Sequence, residues 1–146
     1  MTSPSPAAQT QRPRVLIVEP DGQLALATVR ACLEAGLEPK LCMGPDETCP
    51  GLSGHTCDRA ARVEASLVSI ASGLGRIASP ACAGGRVVLA GERPLVGHAT
   101  VGMLAPEAVL DYPYNPNAAA GLLLQIVRRD RSQQIWDQVR SSGTDT

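Results

Sequence analysis

The sequence predicts one α/β domain, a parallel sheet covered by helices on both faces. Three observations lead there. Five short apolar runs recur along the 146 residues: "RVLIV", "PKLC", "ASLVSI", "RVVLA" and "EAVL". Most are rich in β-branched residues and closed by Gly or Pro, as buried strands are. At least two segments have helical spacing, one after the first run and one closing the chain. Strands that alternate with helices pair in parallel, and helices then cover the sheet.

Residues 1–13 are rich in Ser, Pro, Ala and Gln and are expected to form a disordered tail. "RVLIVEP" gives the first strand, ended by Pro20. From Asp21, "DGQLALATVRACLEAGLEP" places Leu24, Leu26, Val29, Leu33 and Leu37 close to a helical stripe. Asp21 is suited to cap its start and Gly36 to end it. "PKLCMG" is the second strand, residues 65–70 the third, "GGRVVLAG" the fourth and "PEAVLDYP" the fifth. "SGLGRIASPACA" and "LVGHATVGMLAP" are weak signals for helices on either side of the fourth strand. "NPNAAAGLLLQIVRRDRSQQIWDQVR" is the closing helix, capped by Asn115 or Asn117, with Leu122, Ile126 and Val127 on one face. Its later turns gather arginines, and Trp136 is expected to pack on the body or on a second copy.

Composition narrows the function. With no Phe, one Trp and two Tyr, the core must be built from Ala, Val, Leu and Ile. A net charge of -1 gives no support to direct nucleic-acid binding through a general basic surface. The first residues lack a basic stretch followed by an apolar one, and no apolar run reaches the roughly 18 residues of a membrane helix. A cytoplasmic protein with no membrane partner is the expectation. "SGLG" lacks the spacing and the Lys of a phosphate loop, and His98 has no evident partner in sequence.

The order of elements and three stretches resemble the receiver domain of bacterial response regulators. "VLIVEPDGQLA" is similar to the family's opening strand and acidic turn, "ASLVSIAS" to its third strand, and "VLDYPYNPNAAAGLLLQIVRR" to its last strand, Lys-Pro-aromatic turn and final helix. The resemblance implies a flavodoxin-like, doubly wound, five-stranded parallel sheet over residues 14–130, with residues 131–146 a helical extension and polar tail. It implies phosphoryl transfer to an Asp after the third strand. Acids at the end of the first strand would hold Mg²⁺, aided by a hydroxyl after the fourth strand and a Lys before the Pro of the fifth. Against that pattern, Glu19 matches the first acid, Pro20 stands at the second and Asp21 falls one residue late. Ala71 occupies the acceptor position, with Ser69 and Ser72 nearby. Ala90 or Gly91 replaces the hydroxyl, and Tyr112 replaces the Lys. The turn at Pro113 is cis in the family. The expectation is a pseudo-receiver that keeps a degenerate acidic pocket, Glu19 and Asp21. The Glu19-Pro20-Asp21 turn has a simpler reading as the cap of the first helix.

The remaining motif is "LCMGPDETCPGLSGHTCDRA", a Cys-rich loop at about residues 42–58 holding Cys42, Cys49, His55 and Cys57. In the receiver scaffold it starts at the carboxyl edge of the second strand, where open α/β sheets bind ligands. Pro45, Pro50, Gly51 and Gly54 argue against a regular helix there. Three readings stay open. The four residues suit tetrahedral Zn by donor type, but C-x6-C-x5-H-x-C is not a Cys-x2-Cys knuckle; an iron-sulfur cluster would need Cys82 as well. Two of the thiols suit a reversible disulfide, with His55 lowering the pKa of Cys57. Or the thiols are small hydrophobes, as Cys32 on the helical stripe is expected to be.

Two functions from different classes follow. The first is a non-enzymatic signalling or regulatory module that acts by protein–protein interaction without aspartyl phosphorylation. Its partner is of unknown identity or a second copy, contacted near Leu122, Ile126 and Trp136. The alternative is a metal- or redox-responsive protein whose site is the cysteine loop. A residual phosphoacceptor built from Glu19, Asp21 and a serine is a third.

Overall fold

A computed structural model describes residues 11–42, 62–69, 85–91 and 106–143. Each of the five apolar runs forms a strand: β1 Arg14–Val18, β2 Glu38–Cys42, β3 Ala65–Ser69, β4 Arg86–Ala90 and β5 Ala108–Leu110. All neighbours pair in parallel, in the order β2-β1-β3-β4-β5. This is the doubly wound order, with its switch point between β1 and β3. The register sets Val18 beside Cys42 on one side and beside Val68 on the other, so the strand ends converge on one edge.

The three inner strands are buried along almost their whole length, whereas β2 and β5 at the edges are half exposed. The near-continuous apolar runs of β1 and β4 follow from burial on both faces, and β3 buries Ser66 and Ser69 among its apolar residues. Val15, Ile17, Ala65, Leu67, Val88 and Ala90 point to the face that carries both described helices. The alternating residues Leu16, Val18, Val68, Val87 and Leu89 are buried as well. β5 keeps only three residues of its longer apolar run; the chain leaves the sheet before Pro113, which has no N–H to offer a ladder.

Helix α1 spans Gly22–Glu34. Asp21 caps it, its Oδ1 accepting from the amides of Gln23 at 3.0 Å and Leu24 at 3.1 Å. At the other end Gly36 takes a left-handed φ of 87°. Gly36 N then donates to Leu33 O and Leu37 N to Cys32 O, a Schellman closure that seats Leu37 in the core. The buried face differs from the expected stripe. Ala25, Thr28, Ala31 and Cys32 are buried, while Leu26 and Leu33 are exposed. Small residues on the inner face let the helix approach the sheet and its neighbour closely, so the larger leucines are left outside.

Helix α2 runs without interruption from Pro116 to Gly143, 28 residues or about 42 Å. Asn115 is the cap, accepting from the amides of Asn117 at 2.9 Å and Ala118 at 3.1 Å, with Pro116 at the first helical position, where its missing N–H costs nothing. The helix returns antiparallel to the strands and packs beside α1. Ala119, Ala120, Leu123, Ile126 and Val127 enter the core and Leu122 packs half-buried against it. Ile126 is only 3% exposed, so it belongs to the body and not to a contact with a second copy. At the amino edge of the sheet Arg131 grips Glu64, and Arg86 joins Glu107 to Asp130. Beyond Arg131 the helix projects with Ile135, Trp136 and Val139 exposed; Trp136 does not pack on the body. No helix among the described residues is long and apolar enough to cross a membrane.

Candidate functional site

Glu19 follows β1 directly, and its N–H donates to Cys42 O at 2.9 Å, extending the ladder by one bond. That bond turns the side chain inward at the carboxyl edge of the sheet, where it is fully buried. A buried carboxylate without partners costs several kcal/mol; this one has four donors. Oε1 accepts from the Ser69 hydroxyl and from the Tyr114 hydroxyl at 2.9 Å. Oε2 accepts from the Tyr112 hydroxyl at 2.9 Å and from the amide of Asp21 at 3.1 Å. The donors come from the β1–α1 turn, the end of β3 and the β5–α2 turn, so one side chain ties three segments together.

The two tyrosines act as a pair. The Tyr112–Pro113 peptide is cis, and the rings meet edge to face with centroids 6.1 Å apart. Burial, reinforced by the Glu19 hydrogen bond and by the charges of Glu19 and Asp21, pushes the Tyr112 hydroxyl up to about 12. Tyr114 is pushed up further, first by burial and then by the Glu19 charge, against opposing hydrogen bonds to Thr28 and Ser69. Both phenols therefore hold their protons at neutral pH and serve as donors. Thr28 supports Tyr114 from α1: its Oγ1 lies 3.4 Å from the Tyr114 hydroxyl and donates to Leu24 O at 2.7 Å.

The resemblance to receiver domains implies Mg²⁺ at this edge, and the described residues do not fit it. A divalent cation needs carboxylate lone pairs turned toward it. Both Glu19 oxygens face hydroxyl and amide protons instead, and Asp21 Oδ1 is spent on the cap of α1. Ala90 contributes a buried methyl group opposite Ser69, and Tyr112 stands where a Lys was expected. Of the two acids read from the sequence, Glu19 is the centre of the cage and Asp21 is its backbone donor and the helix cap. Ser69, near the acceptor position in the receiver resemblance, and Tyr114, which the sequence does not point to, complete the cage as donors to Glu19. No spacing rule finds them, because β-sheet register and the β5–α2 turn bring them to Glu19 from far along the chain.

Cys42 ends β2, with its carbonyl bound to Glu19 N and its side chain half-buried. Cys49, His55, Cys57, Cys82, Ala71 and His98 lie outside the described residues, as do the segments proposed as helices around β4. Among the described residues no three His, Cys, Asp or Glu side chains gather as a metal site. Cys32 is buried, and burial pushes its thiol up to about 11, so it packs as a small hydrophobe.

No protein-family model matches the sequence, and no curated protein matches it. Solved structures do. The chain is similar to a CheY-like response regulator receiver domain protein from Methanospirillum hungatei, with a TM-score of 0.62 and 13% identity over 84% of this chain and 99% of that one. A response regulator from Thermotoga maritima gives 0.57 and 14% over 80% and 98%, and an orphan response regulator of H. pylori gives 0.56 and 12% over 79% and 96%. At such identities the likeness is one of fold, and the fold is that of the CheY-like receiver domains.

Proposed function

We propose that the chain is a pseudo-receiver: a signalling or regulatory module that acts by protein–protein interaction and not by aspartyl phosphorylation. The body comprises residues 14–130, and residues 131–146 are an extension of it. The observation that supports this reading is the Glu19 cage. At the edge where a receiver holds cation and phosphoryl group, four donors saturate the carboxylate, and one of them is Tyr112, at the position of the receiver Lys. Incubation with acetyl phosphate and Mg²⁺ tests it by intact mass. The expected result is an unchanged mass; the gain of one phosphate would overturn the proposal.

The partner surface proposed is the projecting part of α2, and the occupant is a second copy. Ile135, Trp136 and Val139 are 62%, 63% and 57% exposed within about two turns of the helix beyond Arg131, which grips Glu64. A free helix of that length is marginal in water and gains stability by burying an apolar face. Light scattering should give twice the chain mass, reduced to one by Trp136→Asp. A monomeric native protein would remove the second copy.

A further inference from the structure

The edge of the sheet opposite Glu19 has a different chemistry. Arg12 and Arg14 stand at the start of β1, Arg62 just before β3 and Arg131 on α2. With Gln11 and Glu64 they line a cleft of about 310 Å³. One carboxylate, Glu64, shares the cleft with these four guanidinium groups, and a second, Glu38, lies against Arg14 outside it. Glu64 takes both prongs of Arg131, Nε at 2.6 Å and Nη2 at 2.7 Å. Glu38 lies 3.5 Å from Arg14 Nε, yet that nitrogen is buried and has no hydrogen-bond partner. Arg12 and Arg62 have no ion pair among the described residues. Among the described residues two positive charges are left unbalanced, and a buried N–H without an acceptor is rare in a folded protein.

The cleft is built on fixed backbone. Glu64 N donates to Arg14 O at 2.8 Å, and Arg86 N donates to Glu64 O at 3.0 Å, so the strap 62–64 is held between β1 and β4. Gly85 allows this closeness, since a Cβ there would stand 2.2 Å from Glu64 O. Arg62 takes a left-handed φ of 63°, which non-glycine residues seldom adopt and which the strap holds.

We propose that this cleft binds the phosphate group of a small soluble ligand, a phosphomonoester or diphosphate. Planar guanidinium forks match phosphate oxygens in pairs. A phosphate monoester carries about −1.5 to −2 charges at neutral pH, which balances the excess in the cleft. The volume lies at the lower end of the roughly 300–1,000 Å³ of small-molecule sites. The site is independent of the pseudo-receiver reading, because it lies at the other end of the strands and uses none of the same residues.

Titration of the full chain with inorganic pyrophosphate tests it, by calorimetry and by the thermal midpoint, against sodium chloride at equal ionic strength. Pyrophosphate is expected to raise the midpoint where chloride does not. The exposed pair Arg12→Ala and Arg62→Ala should weaken binding by about ten-fold or more and leave the ligand-free midpoint unchanged. A pyrophosphate effect no larger than that of chloride, or a double variant that titrates like the native chain, overturns the site.

Discussion

The two edges of one sheet hold charge in opposite ways. At the carboxyl edge a single negative group, Glu19, is buried and surrounded by donors from three segments. At the amino edge four arginines and one carboxylate, Glu64, line an open cleft, and Arg12 and Arg62 have no ion pair among the described residues. Among the described residues, the Glu19 carboxylate at the carboxyl edge has all its donors from within the chain. The amino edge is the one with unspent hydrogen-bonding capacity. A satisfied site confers rigidity; an unsatisfied one confers binding.

Removing the centre of the satisfied edge should have the largest effect. Glu19→Ala orphans four donors, at least two of them buried, and is expected to lower stability by about 3–5 kcal/mol in urea unfolding. A loss below about 1 kcal/mol would show that the cage contributes little. Tyr114→Phe removes one buried donor from a charged acceptor and should cost about 1.5–3 kcal/mol. Tyr112→Phe, nearer solvent, should cost less than Tyr114→Phe in the same assay. Equal costs would mean that burial does not grade the two bonds.

Alkaline pH sharpens the same point. Tyr112 titrates near 12 in the folded chain against 10 in the unfolded one, and Cys32 near 11 against 9. Groups raised on folding contribute stability that is intact below their unfolded values and lost as pH climbs through the folded ones. Stability should therefore fall above pH 9, and more steeply between 10 and 12. The double variant Tyr112→Phe, Tyr114→Phe should flatten the upper part of that fall; an unchanged slope would remove the tyrosines from it.

At the amino edge, Arg131→Met breaks a paired but partly exposed bridge to Glu64 and should cost only about 0–1 kcal/mol. A loss as large as that of Glu19→Ala would erase the contrast between the edges.

Much of this architecture was legible in the sequence. The five strands appear in the places and order that their apolar runs indicated, most plainly in β1 and β4, where burial on both faces demands apolar residues. Asp21, Gly36 and Asn115 were legible as helix ends because capping is local chemistry. The face of α1 was not. Leu26 and Leu33 drew the stripe outward, whereas Ala25, Ala31 and Cys32 are inside because close helix packing selects for small volume. Ile126 was read as a contact residue and lies in the core for a related reason: a closing helix has one apolar face, and the sheet claims it first. The acidic turn at Glu19 was visible, but its partners were not. The receiver resemblance puts Ser69 and Tyr112 near the same pocket, but Tyr114 and the hydrogen bonds of all three to Glu19 follow only from strand register and the β5–α2 turn.

The account rests on Glu19 being closed to cations by hydroxyl donors. The most direct test is a Mg²⁺ titration of the full chain followed by the amide shifts of Glu19, Asp21 and Ser69 in ¹⁵N-resolved NMR. The account predicts that these resonances stay in place at concentrations that saturate a metal-binding receiver. Saturable movement of all three would place a cation on Glu19 and contradict it.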